Sequence, residues 1–283
     1  MSNPPTLRPS DSPIAPCCLT IAGSDSGGNA GVQADLRAFH GYGLHGCTVF
    51  AALTAQNPTA VTAIHPVPAD FVAAQLDAVL GVYAIRGLKT GMLADPAAIE
   101  VIADRLAAHP EIAKVIDPVM VATSGVRLVP EATTAAIVKR LLPLATLITP
   151  NLPEAEILCG RAVTDPNAER AGSADHARDL AHRLYDTYGC AVLVKGGHGS
   201  GASATDVLFD GKAFAEFALP WIPHPVSTHG TGCSLAADLA AELARGASLA
   251  RAVADAKNFV YDAMRLSYHI GKNCGVLGMP GKG

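Results

Sequence analysis

The chain has 283 residues, of which 49% are hydrophobic and 16% charged, and its formal net charge is −4. This length and composition predict a single large α/β domain with a sizeable core, and they exclude a disordered or fibrous protein. The slightly acidic balance indicates no surface for nucleic acid or for a membrane, and no apolar run is long enough to span a bilayer.

Seven cysteines, an odd count without a C-x-x-C pair, predict neither a disulfide framework nor a zinc ribbon. We therefore expect the reducing conditions of the cytoplasm. Residues 1–16 hold five prolines and lack the basic start and apolar run of a signal peptide. We interpret them as a flexible N-terminal tail, followed by one domain at 17–283.

The first predicted strand, 18–22, runs into a glycine-rich loop at 23–31 and then into a helix at 32–40. Strand, loop and helix in that order place a small polar ligand at the carboxyl end of a parallel strand. The loop is neither a dinucleotide fingerprint nor a P-loop. A literal G-x-G-x-x-G at 41–46 follows a helix and precedes a strand, so we interpret it as an ordinary turn.

Strands and helices then alternate along the chain. Predicted strands lie at 47–55, at a segment ending at 88, and at 114–117, 144–149 and 191–194. Predicted helices lie at 69–83, 96–109, 131–142, 171–188, 233–245 and 249–267, with a short one after 154. A hairpin at 204–220 turns at Asp210 and Gly211. The alternation predicts an αβα sandwich, with a mostly parallel central sheet and helices on both faces.

A second glycine turn, Gly230-Thr231-Gly232-Cys233, feeds the penultimate helix. Its backbone N–H groups and the positive end of the helix dipole form a site for a phosphate or an oxyanion. Cys233 lies at the edge of this turn, and the positive field there predicts easier ionisation than the free pKa of about 8.5. A helix start with a buried cysteine is the structural alternative.

Polar or polarisable side chains follow several predicted strands at one edge of the sheet, where ligands bind in open α/β folds. They are Gln56, Met92, Asp117, Asn151, Glu154, Lys195 and Cys233. Each has a local alternative: Asp117 precedes a proline and can start a turn, and Asn151 with Glu154 can cap a helix. A shared edge with a cation, two acids and two glycine turns nevertheless suits a magnesium nucleotide.

The chain resembles the hydroxymethylpyrimidine/phosphomethylpyrimidine kinases of thiamine biosynthesis, in the ribokinase-like superfamily. The motifs that carry the resemblance occur in the family's order. They are Ala22-Gly23-Ser24-Asp25-Ser26-Gly27-Gly28, Gly31-Val32-Gln33-Ala34-Asp35-Leu36, Ala52-Leu53-Thr54-Ala55-Gln56-Asn57, Lys89-Thr90-Gly91-Met92, Asp117-Pro118-Val119-Met120 with Val121 to Gly125, Thr149-Pro150-Asn151-Leu152-Pro153-Glu154, Val194-Lys195-Gly196-Gly197-His198 and His229-Gly230-Thr231-Gly232-Cys233.

The resemblance implies a ribokinase-like fold that phosphorylates 4-amino-5-hydroxymethyl-2-methylpyrimidine and then its monophosphate, with ATP and Mg²⁺. It implies a homodimer and no nucleic-acid or membrane partner. The pyrimidine pocket would use Gly23, Asp35, Gln56, Met92 and Val119. The phosphate end would use Asp117, Asn151, Glu154, Lys195 and the turn Gly230–Cys233, with Asp117 and Glu154 holding Mg²⁺, directly or through water.

Two positions depart from the family's pattern. Asn29 stands where glycine is expected, and left-handed geometry at Asn would preserve the loop. The ending at 268–275 also differs. A pyridoxal kinase and a non-catalytic pyrimidine-binding regulator remain alternatives. A sugar kinase is disfavoured, because ribokinase-type relatives carry Asp at the position of Cys233.

Overall fold

The computed structural model describes residues 15–120, 129–163, 173–197, 203–272 and 274–280. Most of the predicted tail, the motif residues Val121 to Gly125, and His198 lie outside these ranges. Within them, nine strands form one sheet in the order β3-β2-β1-β4-β5-β6-β7-β8-β9. The strands are β1 Cys17–Asp25, β2 His45–Asn57, β3 Ala60–Pro66, β4 Ile85–Thr90, β5 Ala113–Ile116, β6 Leu147–Ile148, β7 Ala191–Val194, β8 Ser203–Phe209 and β9 Phe214–Pro220.

Helices cover both faces of this sheet. They are α1 Gly31–Gly41, α2 Ala69–Leu80, α3 Pro96–Ala107, α4 Glu131–Ala136, α5 Leu152–Leu158, α6 Ala174–Tyr188, α7 Thr231–Ala244 and α8 Leu249–Arg265. Leu76, Ile99 and Leu180 belong to the core on the face of α2 to α6, and Phe39 and Leu239 belong to the core on the other. The predicted αβα sandwich is confirmed. None of the helices in the described ranges is long and apolar enough to cross a membrane.

The central strands β2, β1, β4, β5, β6 and β7 are parallel, and antiparallel strands extend both edges. Strands β2 and β3 follow β1 on one side of it, whereas β4 and the later strands lie on its other side. The strand order therefore reverses at β1. Such a reversal opens a crevice at the carboxyl ends of the strands. Helix α7 packs directly against strand β4, which lies next to β1. A Cβ at Gly87 of β4 would sit only 2.3 Å from the carbonyl oxygen of Ala240 of α7.

The sequence prediction missed three strands. Strand β3 pairs with β2, and all seven of its residues are exposed, so it shows no alternation of buried and exposed positions. The hairpin of β10, Tyr268–Gly271, and β11, Cys274–Val276, also went unpredicted. Two predictions were too long: β6 has two residues, and the helix predicted at 131–142 continues beyond α4 as a π-helical turn, Ile137–Leu141, before a 3₁₀ turn.

Candidate active site

The crevice beside β1 joins the first glycine loop to the end of β4. The N–H of Gly23 donates to the carbonyl oxygen of Met92 at 3.1 Å. A Cβ at Gly23 would lie only 2.9 Å from Cε of Met92, so glycine is what lets the two chain segments approach. The predicted pocket residues Gly23 and Met92 are therefore neighbours, and the Met92 thioether is half-buried at this edge.

Asp25 holds the first glycine loop in shape, a role that the sequence prediction missed. Its carboxylate, 2% exposed, accepts hydrogen bonds from the N–H groups of Gly27, Asn29 and Ala30 at 2.8–2.9 Å. An aspartate directly after a strand and before glycines is a common signal for such a turn. Among the described non-glycine residues only His224 has positive φ, so the left-handed geometry considered for Asn29 is not needed.

Gln56 lies at the end of β2 with its amide held on both sides. The hydroxyl of Thr54 donates to Oε1 at 3.1 Å, and Nε2 lies 3.4 Å from Nε2 of His229. His229 precedes the second glycine turn and also lies 3.7 Å from the Asp25 carboxylate. The predicted recognition residue therefore joins the two glycine turns, and each amide atom keeps capacity for one further hydrogen bond.

Asp35 is fully buried beside the crevice. Its side chain is 0% exposed, and both carboxylate oxygens bind the ammonium of Lys89 at 2.9–3.0 Å, with the Thr20 hydroxyl on Oδ2 at 2.5 Å. Its place in the pyrimidine pocket stays a prediction. Burial alone would lower the pKa of Lys89, but the carboxylate of Asp35 raises it above its usual range. Burial also raises the pKa of Asp35, and the charge of Lys89 opposes that rise.

The second glycine turn meets the first through the backbone. Gly230 has φ +90°, and a Cβ there would lie 2.1 Å from the carbonyl oxygen of Asn29. Helix α7 then begins at Thr231, whose hydroxyl donates to the carbonyl of Thr228 at 3.0 Å. The predicted anion turn is thus a helix N-terminus packed against the first loop.

Cys233 behaves differently from its prediction. Burial raises the pKa of its thiol, and the nearby charge of Lys89 only partly offsets that rise. This direction is opposite to the easier ionisation that the sequence predicts, because desolvation of the thiolate exceeds the effect of the Lys89 charge.

The predicted phosphate end contains an ion pair between Asp117 and Lys195. Oδ1 of Asp117 accepts from the Lys195 ammonium at 2.8 Å and from the Thr149 hydroxyl at 3.0 Å. Burial lowers the pKa of Lys195, but Asp117 and Glu154 raise it by more, so the ammonium stays charged. A Cβ at Gly232 would lie 3.8 Å from Lys195 Nζ and 3.9 Å from Asp117 Oδ2, so the start of α7 faces both groups.

Glu154 and Asn151 cap helix α5, as the structural alternative proposed. Asn151 Oδ1 accepts from the N–H of Glu154 at 2.9 Å, and Glu154 accepts from the N–H groups of Asn151 and Met120 at 3.0 and 3.1 Å. Burial raises the pKa of Glu154 to about 7. Both carboxylate oxygens of Glu154 therefore accept backbone hydrogen bonds, whereas Oδ2 of Asp117 faces the start of α7. Val119, half-buried, lies between Asp117 and Met120.

A cavity of about 340 Å³ opens beyond Gly232 and Lys195. Its lining includes four residues that sequence reasoning missed: Trp221, Lys257, Tyr261 and Met264. Three of them lie on α8, whose helical pattern alone does not say which face meets a cavity. In the described residues no group of three His, Cys, Asp or Glu side chains could hold a metal by itself. Magnesium commonly binds one or two carboxylates together with substrate phosphates, and Asp117 fits that use.

Comparisons with known proteins identify the family of this chain. A family model for phosphomethylpyrimidine kinase matches residues 25–278. A hydroxymethylpyrimidine/phosphomethylpyrimidine kinase of Rhizobium meliloti is 45% identical over 247 residues, covering 87% of this chain and 89% of that protein. The thiamine biosynthesis bifunctional protein ThiED of Geobacter sulfurreducens is 44% identical over 257 residues, 91% of this chain, which spans 51% of that protein's length.

Among solved structures, an ADP complex of Bacillus subtilis pyridoxal kinase superposes with a TM-score of 0.83 at 32% identity, covering 95% of this chain and 98% of the other. The fold is thus shared with a nucleotide-binding kinase. The family match covers far more than half of the sequence, including residues 25–31 of the first glycine loop, the second glycine turn and Lys195. The chain belongs to the phosphomethylpyrimidine kinase family, on the ribokinase-like fold.

Proposed function

We propose that this chain uses ATP to phosphorylate 4-amino-5-hydroxymethyl-2-methylpyrimidine to the monophosphate and then to the diphosphate, in thiamine diphosphate biosynthesis. Family membership supports the substrate class. One observation supports the reaction: Gly232 faces the Lys195 ammonium at 3.8 Å and the Asp117 carboxylate at 3.9 Å from its Cβ position. A helix N-terminus, a cation and a carboxylate around one point suit a transferred phosphoryl group.

At the pyrimidine end, the aminopyrimidine ring would occupy the crevice of Gly23, Met92 and Val119. Its amine donor and ring-nitrogen acceptor match the free capacity of the Gln56 amide. The Met92 thioether suits the flat ring face. Asp35 supports this end from behind, through its ion pair with Lys89.

At the phosphate end, Lys195 and the N–H groups at the start of α7 would neutralise and orient the nucleotide's phosphates. Bound Mg²⁺ would supply further neutralisation of the phosphate charge, and Asp117 Oδ2 is the oxygen that we propose to hold it, with Asn151 and Glu154 acting on it through water. The cavity beside Trp221 and Tyr261 would receive the rest of the nucleotide.

The two steps differ in their nucleophile. In the first, the hydroxymethyl oxygen forms a bond to the γ-phosphorus, the bond from that phosphorus to the bridging oxygen of ATP breaks, and the hydroxyl proton must leave. We propose Cys233 as the acceptor of that proton, in its thiolate form. In the second step, the nucleophile is a phosphate monoester whose second pKa is about 6, so it needs no base.

The test is to incubate the protein with Mg-ATP and the hydroxymethylpyrimidine and to follow both products by mass. Monophosphate should appear first and diphosphate second, with one ADP per transfer. Accumulation of monophosphate alone, however long the incubation, would remove the second step. If neither the pyrimidine nor pyridoxal supports ATP turnover, the remaining alternative is a non-catalytic regulator that binds the pyrimidine.

Pyridoxal is the second candidate substrate, because the Bacillus subtilis structure is that of a pyridoxal kinase and shares the fold at 32% identity. Pyridoxal also carries a hydroxymethyl group beside a flat ring. Direct competition decides between them: we expect a higher kcat/KM for the pyrimidine, whose amine and ring nitrogen pair with Gln56. Equal values for both rings would show a dual-specificity kinase.

We further propose a homodimer that works in the cytoplasm. Strand β3 leaves one edge of the sheet unpaired, and its Val61 and Ile64 are 51% and 45% exposed beside Gln56 and Thr54. An apolar edge strand is a template for a second copy. Seven free cysteines, several of them buried, suit a reducing compartment.

A further inference from the structure

Asp206 is a buried carboxylate on β8 that binds two different parts of the molecule. Oδ1 accepts the N–H of Gly196 at 2.8 Å, and Oδ2 binds the ammonium of Lys257, from α8, at 2.8 Å. Its side chain is 7% exposed, and that of Lys257 is 11% exposed. One side chain thus connects the end of β7, strand β8 and helix α8.

The first connection fixes the backbone of Lys195. Gly196 directly follows it and lies so close to β8 that a Cβ would sit 1.7 Å from the carbonyl oxygen of Thr205. On the other side, the N–H of Lys195 donates to the carbonyl of Pro150 at 2.9 Å. Asp206 and Pro150 therefore hold the peptide units on either side of Lys195, whose ammonium must meet the phosphates.

The second connection fixes another cation. Lys257, Asp206 and Lys195 all line the cavity of about 340 Å³ that begins at Gly232. A lysine side chain that lines a cavity without a partner samples many rotamers, and its ordering on ligand binding costs free energy. The carboxylate of Asp206 removes that cost before a nucleotide binds.

We propose that Asp206 is a positioning residue for phosphoryl transfer, which sets Lys195 through the Gly196 N–H and pre-orders Lys257 for the nucleotide. This inference rests on the proposed ATP-dependent function. Both partners of this ion pair line the cavity that we propose for the nucleotide. Neither residue stood out from the sequence, because nothing there pairs β8 with α8.

Two substitutions separate the connections. Asp206→Asn keeps an amide oxygen for the Gly196 N–H but removes the charge that holds Lys257, so we expect KM for ATP to rise about tenfold with kcat and the pyrimidine KM within about twofold. Asp206→Ala also frees Gly196, so we expect a further fall in kcat of about tenfold or more. Glu216→Gln is the matched control. Glu216 lies on the neighbouring strand β9, pairs with Arg178 of helix α6, and is not among the cavity-lining residues.

Lys257→Met should raise KM for ATP as Asp206→Asn does, and the two changes together should cost no more than either alone, because they break one interaction. ADP affinity by calorimetry and thermal unfolding accompany the kinetics. Three results would overturn the proposal. One is unchanged kinetics and ADP affinity in Asp206→Asn, and another is additive losses in the double variant. The third is an equal decline in kcat and in the affinity for both substrates that follows the unfolding temperature. An inactive wild type would instead defeat the proposed function, while ADP affinity would still test Asp206.

Discussion

Gln56 is the side chain whose loss should separate recognition from nucleotide binding. Gln56→Leu keeps a similar bulk but leaves the pyrimidine amine and ring nitrogen without partners, at about 1–3 kcal/mol each. We expect weaker pyrimidine binding by calorimetry and nearly unchanged ATP affinity. Gln75→Leu is the control, since within the described part of the chain the Gln75 amide bonds to backbone groups of Phe50 and Phe71. Equal losses for both ligands would place Gln56 in a structural role.

The pKa of Cys233 predicts how the first step depends on pH. Burial raises that pKa, so the thiolate fraction is small at pH 7 and grows about tenfold per pH unit toward the pKa. If the thiolate accepts the hydroxyl proton, the first phosphorylation accelerates correspondingly from pH 7 upward. The second should be nearly flat above about pH 6, where the monoester is already a dianion. Separate rate profiles for the two steps measure this.

Truncation tests the same residue directly. Cys233→Ala should slow the first step by ~10²–10⁴, the usual contribution of a general base, and should flatten its pH profile. The second step should change far less, because the backbone N–H groups at the start of α7 remain. Cys159→Ala, another cysteine whose pKa is raised by burial, controls for loss of packing. A uniform loss in both steps would remove the base assignment.

Lys89 is expected to matter for stability more than any other lysine of the sheet. Lys89→Met leaves the charge of Asp35 buried and uncompensated, which costs about 3–5 kcal/mol. Adding Asp35→Asn should recover much of that loss in urea unfolding. Lys114→Met is the control, because the ammonium of this buried lysine bonds to two backbone carbonyls. Its removal therefore leaves no buried charge without a partner. Similar losses in both variants would contradict the expectation.

At single residues, sequence reasoning succeeded where one local pattern suffices and failed where the third dimension decides. Gly23 contacts Met92, and Asp117 contacts Lys195, because these residues follow strands whose carboxyl ends share one edge of the sheet. Asp35 carries a family motif, but only packing reveals that Lys89 covers it. The acidity of Cys233 required the balance between burial and charge, which no sequence pattern contains.

Among the elements, helix α7 carries Gly232 and Cys233, and Gly230 is its N-cap. Gly230→Ala forces a side chain into φ +90° and against the carbonyl of Asn29, so we expect lower thermal stability and higher KM for both substrates. Gly246→Ala, after the other end of α7, has φ +86° and nothing within 4 Å of the new Cβ. It should cost about 1–2 kcal/mol of strain and leave both KM values intact. Matching kinetics in the two variants would mean that the contact with Asn29 is unimportant.

Elements buried on one or both faces were predictable, and exposed ones were not. Strand β7 was predicted residue for residue as 191–194, and the hairpin of β8 and β9 was found from its Asp210-Gly211 turn. Strand β3 has no buried face, so its sequence carries no periodic signal. The capping box of α5 was recognised only as an alternative, because the same Asn and Glu also suit a metal site.

For the whole molecule, we predict that the homodimer forms through the edge strand β3. Ile64→Lys places a charge on the exposed edge strand and should convert the dimer to monomer in sedimentation equilibrium. Val163→Lys, an exposed apolar position after α5, should leave the dimer intact. A monomeric wild type, or a dimer that tolerates Ile64→Lys, would exclude β3 as the interface.

The contact between Gly230 and the carbonyl of Asn29 has a thermodynamic consequence. The loop that serves the pyrimidine and the turn that serves the phosphates share one rigid backbone junction, so ordering either one orders part of the other. Binding of one ligand should then strengthen binding of the second, and linkage requires the same factor in both directions. The enzyme would favour the complex that holds both substrates over either complex with one, which limits ATP hydrolysis when no pyrimidine is present.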